Sequence, residues 1–271
     1  KYEIFWNIVE EKYNKKISLV KRSQNNKSKN YNIIYSDFAN VLGFLPSLLT
    51  LLIFDKEIIY KFYSMIKTDK NHRYKSWEHC YQQFINDHDV DRLSLNLAFY
   101  LASWGMYRGS SGLLQKDYKI HHGAVEILLD SKYSLLKACD MDITRKEIPL
   151  IIELFKELSN YYNNIQFVRN GKEFRITPTD TLITKIMLGS LGCVPAYDRL
   201  FNQGLSNFGI TQKMGMKSLN QLFNFIENDN NKEIILATQS ELTTEKLVYP
   251  KMKIIDMFFW SVGFEESQIG S

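Results

Sequence analysis

Between Leu93 and Gly112 the chain reads LSLNLAFYLASWGMYRGSSG, an almost unbroken apolar run that ends in glycines, serines and an arginine. Leu93, Leu95, Leu97, Ala98, Phe99, Tyr100, Leu101, Ala102 and Trp104 leave hardly any polar face. A helix apolar on every side belongs at the centre of a domain, and Asp91 stands where it can cap this one. Behind it, Gly105, Gly109 and Gly112 bracket Arg108, Ser110 and Ser111, so a buried element delivers a polar turn to one place. Arg108 brings a forked cation suited to phosphate or carboxylate. Ser110 and Ser111 can head a new helix at Leu113, whose free N–H groups also favour an anion. The spacing is not the GxxxxGK(S/T) of a P-loop. The plain alternative is a tight helix–helix turn, with Ser110 as a cap and Arg108 bonded to nearby carbonyls.

The rest of the chain is read as mainly α-helical. Only 13 Gly and 5 Pro punctuate 271 residues, few for an all-β fold. Helical spacing of apolar residues recurs over 45–66, 76–85, 124–136, 143–162, 181–190, 214–227, 232–237 and 249–263. Residues 113–118 are read as a continuation of the turn into a short helix. One segment differs. In NNIQFVRNGKEFRI, residues 163–176, two short alternating runs flank Asn170-Gly171, a strong signal for one short β-hairpin. No repeat or linker divides the chain. The expected architecture is a single helical domain over 41–271, a bundle-like array, preceded by a basic extension over 1–40. That extension carries eight Lys/Arg against four Asp/Glu, whereas the remainder holds 26 of each. An uncompensated basic segment suits nucleic acid or an acidic partner; the plain alternative is a solvated arm. The apolar run over 41–54 is interrupted by Pro46 and is shorter than the roughly 20 residues a spanning helix needs. No membrane association and no secretory leader are expected. Three distant cysteines, Cys80, Cys139 and Cys193, make no disulfide framework, which suggests a reducing, cytoplasmic setting.

A second polar corner follows the helix over 181–190. There Gly192-Cys193-Val194-Pro195 leads to Tyr197-Asp198-Arg199. A carboxylate at the head of the next helix is held rigidly, as an ordinary cap or as a catalytic acid. The core KIMLGSLGCVPAYD, from Lys185, resembles the second half of the helix-hairpin-helix DNA glycosylases. In that family a helix, a short turn, a Val-Pro pair and a functional Asp follow in this order. The resemblance lays Val194-Pro195 and Asp198 on the family's Pro and catalytic Asp, which supports cleavage of the base–sugar bond. Thr177-Pro178-Thr179-Asp180-Thr181 stands where the family's Gly-rich hairpin would be, so Asp198 alone is carried across.

The function expected from these corners is action on nucleic acid, by base recognition or excision. Asp198 is the candidate catalytic residue. Arg108, Ser110, Ser111, Arg199 and Lys185 are candidate phosphate or anion contacts, and Tyr107 or Tyr197 a candidate base-stacking ring. No cofactor is expected. His79-Cys80, His88 and His121-His122 do not form a recognisable metal motif, so no metal is expected either. The rival expectation is a non-enzymatic helical subunit of a defence or DNA-processing complex, with a protein partner on its aromatic stripes. A third is a nucleotide-binding enzyme using the Gly/Ser turn.

Overall fold

The computed structural model describes residues 54–108, 112–245 and 247–269. The expectations for the basic segment 1–40, for residues 41–53, and for Gly109, Ser110 and Ser111 lie outside that range. The described residues form a mainly α-helical array with one antiparallel hairpin, as the periodicity implied. In chain order the helices are α1 (Lys56–Thr68), α2 (Lys75–Asn86), α3 (Val90–Ser103), α4 (His122–Leu129) and α5 (Ile148–Asn163). The hairpin β1 (Gln166–Arg169) and β2 (Lys172–Arg175) follows. Then come α6 (Asp180–Ser190), α7 (Arg199–Asn207), α8 (Met216–Glu227), α9 (Asp229–Leu242) and α10 (Lys251–Ile269). Short 3-10 turns fill Gly112–Gln115, Tyr118–His121, Ser131–Leu136 and Arg145–Glu147.

Local chemistry sets the boundaries. Asp55 has extended backbone and accepts the Glu57 N–H, so α1 starts at residue 56 rather than running through from residue 45. Asp89, not Asp91, caps α3 by accepting from Arg92 N at 2.8 Å. Asp91 instead takes the Tyr118 hydroxyl and the His122 ring. The expected single helix over 124–136 is broken: Asp130 leaves helical geometry and caps a 3-10 turn through Lys132 N. Residues 113–118 likewise form 3-10 turns rather than a helix, and α9 extends well beyond the expected 232–237. Before α5, Thr144 and Glu147 form a capping box, with Thr144 N donating to Glu147 Oε2 at 2.8 Å.

The centre of the domain is not α3. That helix buries one stripe, Leu93, Leu97, Tyr100 and Leu101, and turns Leu95 and Phe99 outward at 53% and 59% exposure. The helices buried on all sides are α6, from Leu182 to Ser190, and α10, from Met252 to Gly263. Helix α10 carries Ile254, Ile255, Met257, Phe258 and Phe259 into the core, and with them Lys253 and Asp256. Helices α7 and α10 touch backbone to backbone at two glycines. A Cβ on Gly204 would lie 2.0 Å from Phe259 O, and one on Gly263 2.0 Å from Leu200 O. Gly189 does not break α6; the Tyr100 ring occupies the space its side chain would fill. Among the described residues no helix is long and apolar enough to cross a membrane.

Candidate functional site

Asp198 ends the turn between α6 and α7 and caps α7. Its Oδ1 accepts from Leu200 N and Phe201 N, both at 3.1 Å. Its Oδ2 accepts from Lys185 Nζ at 2.9 Å, so the carboxylate joins the head of one helix to the middle of another. The Lys185 side chain is 4% exposed and that of Asp198 16%. Thirteen residues separate them in sequence, and the turn closes that gap through side-chain clamps. Thr181 Oγ1 donates to Tyr197 O, and Tyr197 N donates to Thr184 Oγ1, each at 2.8 Å. Asp198 N folds back on Ala196 O at 2.8 Å. From the other side, Ala196 N donates to Asp256 Oδ1 on α10 at 3.0 Å.

Two Lys–Asp pairs therefore meet near this turn. Lys253 Nζ donates to Asp256 Oδ2 at 2.8 Å, and both side chains are buried. Trp104, at the C-terminal cap of α3, lies against both: its ring centre is 4.5 Å from Lys185 Nζ and 5.9 Å from Lys253 Nζ. Tyr74 stacks on Trp104 at 4.9 Å and 12°, and the Arg73 guanidinium lies 5.1 Å from Tyr74. Trp260 meets Trp104 edge-on at 6.3 Å. Cations beside aromatic faces are attracted by the ring quadrupole, more strongly when water is excluded. The buried Nε1 of Trp104 has no hydrogen-bond partner among the described residues. Tyr100 is buried close to the same carboxylates; burial raises its phenol pKa well above normal, and the charges of Asp256 and Asp198 add to that.

Of the two polar corners, the first reaches the second only through Trp104, whose ring lies over Lys185, the partner of Asp198. The expected contacts are distributed as follows. Arg108 is exposed and wraps back on its own turn, with Nε donating to Gly105 O at 2.8 Å. Gly105 sits at φ +72°, and a Cβ there would meet the guanidinium at 3.0 Å, so that fold-back requires glycine. Arg199 is exposed at the first position of α7. Tyr197 is fully buried, packs on Phe201, and shares a hydrogen bond with Ser218 at 2.9 Å. It is a core ring, which removes it as a stacking surface. Tyr107 is half-buried and hydrogen-bonded to His121 Nε2 at 2.7 Å, while Tyr162 meets His121 Nδ1 at 2.6 Å. Burial, with a smaller push from His122, lowers the His121 pKa to about 3, so the ring is neutral between two tyrosines. Lys185 is not a surface anion contact but the partner of Asp198. Trp104, Lys253 and Asp256 were not singled out in sequence as site residues; a Lys and an Asp three apart in an aromatic helix were the available signal.

Among the described residues no group of three or more His, Cys, Asp or Glu side chains gathers as a metal site would require. No protein-family model, curated protein or solved structure matches the chain.

Proposed function

We propose that the protein acts on DNA and excises a base at the Lys185–Asp198 pair. The observation that carries this reading is a carboxylate and an amine 2.9 Å apart, with a tryptophan ring over the amine. A carboxylate at hydrogen-bond distance can take the proton of an ammonium and free a nucleophilic amine. On this reading an extruded nucleotide displaces the Trp104 roof and brings C1′ to Lys185 Nζ. The C–N bond to the amine forms as the base–sugar bond breaks, and the departing electron pair stays with the base, which takes the proton that Asp198 received from the ammonium. With that proton passed on, Asp198 is again a carboxylate, and its fixed charge stabilises the cationic character at C1′. Arg108 and Arg199 are the exposed cations for flanking phosphates.

The test is base release from duplexes carrying single damaged or mismatched bases. Asp198→Asn keeps an oxygen for the α7 cap but loses the charge, and is expected to reduce release at least about 100-fold, the scale of one general acid–base group. Full release by that variant overturns the reading.

A second reading is favoured by the internal bonding of the same carboxylate. Asp198 already accepts from two backbone N–H groups and one amine, which suits a purely structural joint. The chain is then a helical interaction subunit, with exposed Leu95 and Phe99 on its contact face. Absence of DNA binding at low salt supports it.

A further inference from the structure

We infer that the β1–β2 hairpin is a basic ribbon that enters a groove of duplex DNA. The inference rests on the reading above for its choice of polymer, but on different residues. Asn170 and Gly171 both have positive φ, 51° and 71°, which gives the tight turn whose twist matches paired strands. The register pairs Phe167 with Phe174 and Arg169 with Lys172 on one face, and Val168 with Glu173 and Gln166 with Arg175 on the other.

The hairpin has little to do with the core. Nine of the residues 166–175 are exposed, and only Phe167 is partly covered. Phe167 seats on Gly112, where a Cβ would come within 2.6 Å of its ring, and Ile176 N returns to Ile165 O at 3.0 Å. The base is thus fixed and the remainder projects. An isolated two-stranded hairpin is marginal in water, so a projecting one that spends apolar side chains on solvent calls for a partner. Val168 is 61% exposed and Phe174 46%. Around them stand Arg169, Lys172 and Arg175 against a single acid, Glu173.

That charge complements a phosphate backbone, and the DNA major groove admits a two-stranded ribbon. Apolar side chains on the ribbon then meet base methyl groups or sugars. Position agrees with this. Gly112 touches the hairpin, and Arg108 lies four residues upstream, at most about 14 Å away along an extended chain. Arg108 is exposed, so a duplex held by the ribbon can extend to its guanidinium.

The experiment is fluorescence anisotropy of the full chain with a labelled, undamaged duplex over stepped salt, alongside base release from the same preparations. The variant with Lys172→Ala and Arg175→Ala is expected to weaken binding at low salt for every sequence. It should also flatten the slope of log K against log salt by about 2, nearly one unit per lost phosphate contact. Phe174→Ala is expected to weaken binding with the slope unchanged. Unchanged melting of the variants, followed by circular dichroism, keeps folding out of the comparison. Binding and slope equal to the unaltered chain overturn the inference, as does competition by polyglutamate equal to that of duplex. Ribbon-dependent binding without base release supports the ribbon while the excision reading falls.

Discussion

The buried carboxylate of Asp256 holds the backbone N–H of Ala196 at 3.0 Å, so helix α10 anchors the turn that presents Asp198. The same carboxylate neutralises Lys253, and together they place a charged pair inside a helix whose residues are buried from Met252 to Gly263. Removing one partner strands a buried charge, a far larger loss than the pair's net worth. Asp256→Ala is therefore expected to destabilise the fold by about 3–5 kcal/mol. Urea unfolding of this variant and of the double variant Lys253→Met/Asp256→Ala checks it: the double variant should recover part of the loss.

The α7–α10 contact makes a sharper steric prediction. A methyl group on Gly204 or Gly263 would meet backbone oxygen, which cannot rotate away. Each Gly→Ala change should cost about 1–3 kcal/mol or more, the scale of overpacking in a dense core. Gly215→Ala, with nothing within 4 Å and an extended backbone, is the silent control. Thermal melts of the three variants decide this.

Acid should weaken the fold through His121. Its pKa is lowered from 6.5 to about 3 by burial. The unfolded chain thus binds a proton that the folded chain refuses, and stability falls as pH drops below about 6.5. The slope approaches about 1.4 kcal/mol per pH unit. Unfolding free energies between pH 6.5 and 4.5 should show this loss. His121→Gln offers a donor and an acceptor to Tyr107 and Tyr162 without a titrating ring, and should remove most of it.

The hairpin turn should be sensitive at Gly171, which holds φ +71° with open space around it. Gly171→Ala is strained by backbone conformation alone, by about 1–2 kcal/mol. Because the hairpin contributes little to the core, that cost should appear as faster amide exchange over 166–175, with global melting nearly unchanged. A large drop in global stability contradicts the view that the ribbon projects.

Some of this was legible in the residues themselves. Asn170-Gly171 announces its turn because few residue pairs accept two positive φ angles. Asp198 announces its cap because a short carboxylate before a helix satisfies free N–H groups. Other features are not encoded locally. Leu95 and Phe99 look like core residues in sequence, yet they fall outward because Leu93, Leu97 and Leu101 take the inner face of α3. Helix α10 hides its central place because Lys253 and Asp256 read as a polar face until their pairing is seen. Lys185 and Asp198 lie on different elements with no shared period, and only the clamps of Thr181, Thr184 and Asp256 bring them together. Tyr197 looked like a turn residue, but that same clamped turn directs its ring inward.

The most direct measurement is borohydride trapping on a duplex with a single abasic site. An amine that attacks C1′ condenses with the abasic aldehyde, and reduction makes the link permanent. The unaltered chain should form a covalent protein–DNA adduct, and Lys185→Met should form none at a temperature where circular dichroism shows it folded. An equal adduct yield from Lys185→Met, or none from the unaltered chain under conditions where it binds the duplex, contradicts the account.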